Sequence, residues 1–177
     1  DYSSAASDVY KRQELISLEP WIVNSEWSEK LPKLNELRDK VKKMGFWLPQ
    51  VSKEYGGLGL SLEQHGEVSE ILGASPYGFY VFNCQAPDAG NMEVLIETGT
   101  EEQKQQYLYP LLEGEIRSCF AMTEPQYAGS NPTRMGTTAK KENDNYVING
   151  HKWFTSSFDG ANFAIVMVVT DPDGEDV

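Results

Sequence analysis

Histidine and cysteine are scarce in this chain of 177 residues, with two of each. His65 and His151 stand alone in the sequence, and neither is assigned a role. Cys84 and Cys119 form no C-x-x-C pair and have no histidine at metal-ligand spacing, so they read as buried thiols in a reducing compartment and not as a zinc or redox pair. Positive charge is also short. Fifteen Lys and Arg face 27 Asp and Glu, a formal net charge of −12, which argues against a nucleic-acid binder, since that would need a basic face. The acidic residues are scattered and read as a solvated surface. Long apolar runs are missing too: the longest, F-A-I-V-M-V-V at 163–169, is far short of the roughly 20 residues of a membrane span. The first twenty residues lack the apolar core of a secretory signal. There is no Walker loop and no G-x-S-x-G. The segment G-L-G-L-S-L at 57–62 fails as a dinucleotide fingerprint, because Leu62 holds the third glycine position and no strand precedes it. Its glycines read as shaping a loop.

What is present is an ordinary globular balance, 40% apolar and 24% charged. Residues 14–118 read as helical. In L-P-K-L-N-E-L-R-D-K-V-K-K-M-G, Leu34, Leu37, Val41 and Met44 share one helical face, Pro32 suits the first turn and Gly45 the C′ position. Lys42 and Lys43 sit at the negative end of the helix dipole. Ser61 with Gln64, and Thr100 with Gln103, have capping-box spacing. Val68, Ile71 and Leu72 form the stripe of the first of these two helices, and A-P-D-A-G-N-M-E-V-L-I-E-T-G reads as a turn and a short helix ending near Gly99. After Gly114 the period shortens. T-T-A-K-K and N-Y-V-I-N, parted by the turn E-N-D, read as strands, as do H-K-W-F-T-S and N-F-A-I-V-M-V-V-T, with N-G at 149–150 as a hairpin signal. The fold class expected is α+β: an N-terminal all-helical domain followed by the opening antiparallel strands of a β-barrel domain.

Both ends carry their own expectation. D-V-Y-K-R-Q at 8–13 resembles the translation of a transposase adapter used in DNA sequencing, so residues 1–13 read as a non-native leader. At the other end, T-D-P-D-G-E-D-V stops just after a strong strand, and the chain reads as an N-terminal fragment. The domains expected are 14–118, helical, and 119–177, the truncated start of a β domain, with a C-terminal helical domain absent.

Two stretches invite a chemical reading. A-M-T-E-P-Q-Y-A-G-S-N at 121–131 has small residues that let backbone N–H groups approach a ligand, and hydroxyls at Thr123 and Ser130. It suits a planar heterocycle with a phosphate, or a plain connector between domains. In W-F-T-S-S at 153–157, strand alternation would put Trp153 and Thr155 on one face and Phe154 and Ser156 on the other. That arrangement suits either the cover of a flat ring or ordinary sheet packing.

Taken together and in order, these segments resemble the acyl-CoA dehydrogenase family over residues 30–177. G-F-W-L-P-Q-V-S-K-E-Y-G-G-L-G-L-S, G-T-E-E-Q-K-Q-Q-Y-L-Y-P-L-L-E-G-E, A-M-T-E-P and Y-V-I-N-G-H-K-W-F-T-S carry the likeness. A-P-D-A-G-N-M-E-V-L and T-E-P-Q-Y-A-G-S resemble the branch whose animal members can carry an additional kinase-like domain, of which this chain shows no sequence. The resemblance implies a helical domain, a β-barrel domain and a C-terminal four-helix bundle. It also implies non-covalent FAD, and desaturation of an acyl-CoA with proton removal by a C-terminal carboxylate and hydride transfer to flavin N5. By residue, it implies that Phe120, Met122 and Thr123 line the flavin ring, with Thr123 bonding its pyrimidine edge. Ser130 would lie near the pyrophosphate and the acyl-CoA entrance. Phe154 falls where many members have Trp, Thr155 follows, and Ser156 falls where many have Thr near N5. No catalytic residue is carried over, and Glu124 reads as structural. The loop from Pro125 to Ser130 is one residue longer than the common form, and Asn131 stands where Asp is usual. The partners implied are acyl-CoA, an electron-transferring flavoprotein and, at full length, a homodimer or homotetramer. The location implied is the cytoplasm in a bacterium, or the mitochondrial matrix or peroxisome in a eukaryote. Two further readings stay open: an acyl-CoA oxidase or flavin monooxygenase of the same fold, and a non-catalytic acyl-CoA-binding or scaffold protein.

Overall fold

The computed structural model describes residues 14–129 and 131–171. The expected leader at 1–13, Ser130 and the last six residues of the chain lie outside the described residues. The chain divides into two compact units between Glu93 and Val94.

The first unit is helical. Helix α1 (Glu19–Asn24) leads into α2 (Trp27–Met44), then α3 (Leu62–Leu72) and the short α4 (Gly78–Val81), and the division falls inside α5 (Asp88–Thr98). Leu34, Leu37 and Val41 of α2 are buried, as their spacing predicts. Met44 is not: it is 42% exposed, because the helix ends there and its last turn leaves the core. The helix also starts earlier than Pro32 suggests. Trp27 begins it, and Pro32 lies inside. The gain is aromatic: Trp27 meets Tyr80 of α4 edge-to-face, with ring centroids 5.7 Å apart. Gly45 closes α2 in the left-handed conformation (φ 76°), and its N–H donates to the Lys42 and Val41 carbonyls. At Ser61 the capping box forms in both directions, and Val68 and Leu72 are buried below it, with Ile71 half-buried.

The loop from Leu48 to Gly59 is held by its own backbone. Val51 N–H and Leu58 N–H both donate to the Leu48 carbonyl, and Gly59 N–H donates to the Val51 carbonyl (3.2, 3.1 and 2.8 Å). Gly57 passes so close that a Cβ there would sit 2.1 Å from the Val51 carbonyl oxygen. The G-L-G-L glycines thus shape a loop, as read from the sequence.

The second unit begins in α5 and continues through one helical run: α6 (Glu101–Gln103), a π-helical stretch (Lys104–Leu108) and α7 (Tyr109–Glu113). The Thr100 capping box starts it and Gly114, at φ 71°, ends it. Pro110 has no N–H to give to the carbonyl four residues back, and the wider π turn ends two residues before it, at Leu108.

Among the described residues four strands follow: β1 (Ser118–Ala121), β2 (Thr138–Glu142), β3 (Asn145–Asn149) and β4 (Phe163–Val166). β2 and β3 form the expected antiparallel pair, with Glu142 opposite Asn145, so the turn is Asn143–Asp144 and Asn143 takes φ 55°. The Asn149–Gly150 signal is therefore not a hairpin turn. Gly150 instead runs against Thr137, whose Oγ1 a Cβ would meet at 2.2 Å. β1 pairs with β4 in parallel, a pairing that the expectation of antiparallel strands did not include. The long connection from 122 to 162 lets the chain return in the same direction.

H-K-W-F-T-S does not form a strand. Residues 151–155 pair with no strand, and Phe154 takes φ 50°, outside the extended region. The strand alternation expected of Trp153, Phe154, Thr155 and Ser156 is therefore absent. Among the described residues no helix is long and apolar enough to cross a membrane.

Candidate functional site

The two stretches singled out by sequence meet in the second unit. β1 ends at Ala121, and Met122, Thr123 and Glu124 follow it outside any helix or strand. The 152–153 segment lies alongside. Trp153 N–H donates to the Thr123 carbonyl (3.0 Å), and the Lys152 ammonium donates to the Met122 carbonyl (2.9 Å). Lys152 also bonds the Glu124 carboxylate (2.8 Å). That carboxylate accepts two further bonds, from the N–H groups of Gly136 (2.6 Å) and Thr137 (2.9 Å).

Glu124 is 3% exposed. Burial by itself raises the pKa of such a carboxyl. Here the bonds from Lys152, Thr137 and Gly136 outweigh burial and hold it at about 2. An acid that weakly basic, with its oxygens committed to three donors, takes no proton from a substrate at neutral pH. Its structural role, read from the sequence, is thus accounted for by geometry.

The other expected site residues fall around this join. Phe120 is the half-buried position of β1, between buried Cys119 and Ala121. Met122 and Thr123 are half-buried beside it. The Thr123 hydroxyl and N–H, and the hydroxyls of Thr155 and Ser156, make no hydrogen bond within the described residues. Phe154 is 80% exposed, and its ring lies against that of Trp153 with centroids 4.6 Å apart. Gly129 is pressed on Thr123: a Cβ there would meet Thr123 Cγ2 at 2.6 Å. Asn131, the departure from Asp, accepts at its Oδ1 from the Thr133 N–H (3.0 Å) and hydroxyl (2.7 Å), an exposed local turn that either side chain could make. The lengthened loop carries Tyr127, whose ring lies over Gly136. The Ser130 expectation lies outside the described residues.

Among the described residues, an exposed aromatic pair beside hydroxyls and a backbone donor that make no other hydrogen bond is the donor set that suits a flat heterocycle with a polar edge. The residues present therefore fit an isoalloxazine ring. Sequence reading did not find Lys152, although a single cation within the otherwise uncharged I-N-G-H-K-W-F-T-S-S-F was a signal. The two cysteines are both buried, and burial pushes the Cys84 thiol up to about 12, so it is unreactive at neutral pH.

Comparison with known proteins bears on the family and the fold. Residues 17–115 match the acyl-CoA dehydrogenase N-terminal domain, and residues 119–177 match the acyl-CoA dehydrogenase middle domain. The mouse protein named acyl-CoA dehydrogenase family member 10 is 43% identical over 173 residues, 90% of this chain and 16% of its own length. A solved acyl-CoA dehydrogenase-like structure from Mycobacterium abscessus superposes with TM-score 0.89 at 36% identity, over 98% of this chain and 46% of that one. A glutaryl-CoA dehydrogenase from Mycobacterium smegmatis, solved in complex with FADH2, gives TM-score 0.70 at 25% identity over 96% and 42%. The chain therefore spans less than half the length of these relatives. On its sequence, its fold and both domain matches, the chain belongs to the acyl-CoA dehydrogenase family.

Proposed function

We propose that this chain is part of an FAD-dependent acyl-CoA dehydrogenase, which removes hydrogen from the α and β carbons of an acyl-CoA thioester. The observation that carries the reading is the join of the 121–124 and 152–156 segments, which gathers uncommitted donors and an exposed aromatic pair in one place. The solved relative with FADH2 supports it from outside. FAD, when bound, supplies the acceptor for the hydride.

This chain's own residues bind and orient. Phe120 and Met122 offer apolar contact to the ring, and the Thr123 hydroxyl and N–H bond its polar edge. Phe154 covers the ring, and the Thr155 and Ser156 hydroxyls donate near the atom where charge arrives. Ser130 serves the pyrophosphate end and the mouth through which acyl-CoA enters. No residue of this chain is assigned as the base. The partners proposed are an electron-transferring flavoprotein and further copies of the full-length protein.

The test uses the full-length protein. It should purify yellow, and anaerobic addition of an acyl-CoA should bleach the flavin band. Slow reoxidation in air marks a dehydrogenase, and rapid reoxidation an oxidase. A colourless protein that takes up no added FAD overturns the proposal.

A further inference from the structure

The Lys152 and Glu124 side chains are secluded, 11% and 3% exposed. An ion pair so placed is costly to desolvate, and an apolar pair of similar volume is often as stable or more so. What distinguishes it is where its bonds go. An ammonium has three donors. Those of Lys152 reach the Met122 carbonyl, the Glu124 carboxylate and, at 3.9 Å, the Met135 sulfur. Glu124 in turn holds the N–H groups of Gly136 and Thr137. One pair thus ties together the backbone at 122–124, 135–137 and 152–153. An apolar pair would fill the same space without fixing the direction of any carbonyl.

That direction has a consequence across the peptide plane. In a trans peptide the C=O and the following N–H point opposite ways. With the Met122 carbonyl turned to Lys152, the Thr123 N–H faces away from it. With the Thr123 carbonyl turned to Trp153, the Glu124 N–H does the same.

We infer that the Glu124–Lys152 pair is a positioning device for the flavin: it locks the Met122 and Thr123 carbonyls onto the 152–153 segment, and so presents the Thr123 N–H and hydroxyl to the isoalloxazine edge. The inference rests on the flavin reading of this loop. Both side chains act through Thr123 and are positioning residues, touching neither flavin nor substrate.

The experiment is FAD titration of the full-length protein carrying Lys152→Met, Lys152→Arg or Glu124→Gln. Lys40→Met, which removes the same charge from an exposed pair with Glu14, serves as the control. Lys152→Met and Glu124→Gln should each raise the FAD Kd about tenfold or more. At saturating FAD they should also shift the resolved visible band of the bound flavin, which loss of global stability would not do. Lys152→Arg should recover most of the affinity, and Lys40→Met should change nothing. If Lys152→Met fails to fold, Glu124→Gln, equal in volume, carries the test. A variant that binds FAD with the wild-type Kd and spectrum overturns the positioning role alone. A wild-type protein that binds no FAD overturns the functional reading, and the inference with it.

Discussion

Two glycines of the first unit should respond to the same substitution with opposite signs. At Gly57, a methyl group would lie 2.1 Å from the Val51 carbonyl oxygen and 2.7 Å from that of Leu48, well inside the 3.4 Å at which ordinary contact begins. Both atoms belong to backbone that cannot rotate aside. Relief requires the loop to part at the bonds that close it: Gly57 N–H to Ser52, Leu58 N–H to Leu48 and Gly59 N–H to Val51. Three such bonds at about 1 kcal/mol each come to about 3 kcal/mol, before any strain in the displaced core. At Gly66, inside α3, a methyl group meets nothing within 4 Å. There the change removes only the backbone freedom of glycine, and stabilises by about 0.5–1 kcal/mol. Gly57→Ala should therefore lower the melting temperature by on the order of 10 °C, and Gly66→Ala should raise it by about 2 °C. Thermal unfolding followed by helix circular dichroism measures both. A Gly57→Ala protein that melts within about 2 °C of the parent would refute the argument, since the loop would then yield at no cost.

The remaining predictions concern a charge and a cap. The Glu124 carboxyl sits at about 2 in the folded protein against 4.5 ordinarily, so its contribution to stability is complete above 4.5 and is lost as the pH falls from there towards 2. The stability gap between wild type and Glu124→Gln should therefore be widest near neutral pH and close below pH 4.5. Parallel curves over that window would count against the bonded carboxylate. Ser61→Ala removes the acceptor for the Gln64 N–H and should cost about 1 kcal/mol in urea unfolding, with an unchanged m-value.

What could be read from the sequence divides by range. The caps at Ser61 and Thr100 and the left-handed Gly45 are decided within a few residues of chain, and each is where the spacing puts it. Pro32 misled because its tolerance in the first turn is not a requirement, and the contact of Trp27 with Tyr80 repays an earlier start. Asn149–Gly150 has the chemistry of a hairpin turn, but Asn143–Asp144 closes the shorter loop and Gly150 is needed for close approach to Thr137. H-K-W-F-T-S has strand propensity and no strand partner; propensity alone does not supply a neighbour. The meeting of the 121–124 and 152–153 segments spans 28 residues at the Glu124–Lys152 pair, and no local period reports it.

The parallel pairing of β1 with β4 also sets an order of events. The β2–β3 hairpin closes over two residues and can form as soon as Asn149 exists. β1, by contrast, has no parallel partner until Val166 has been made, and its ladder bonds must await closure of a loop running from 122 to 162. During synthesis, Cys119 and Ala121, buried in the finished unit, therefore lack this cover until β4 has been made. The segment that carries Met122 and Thr123 is one residue beyond them, so its join with residues 152–153 is among the later parts of this unit to take shape.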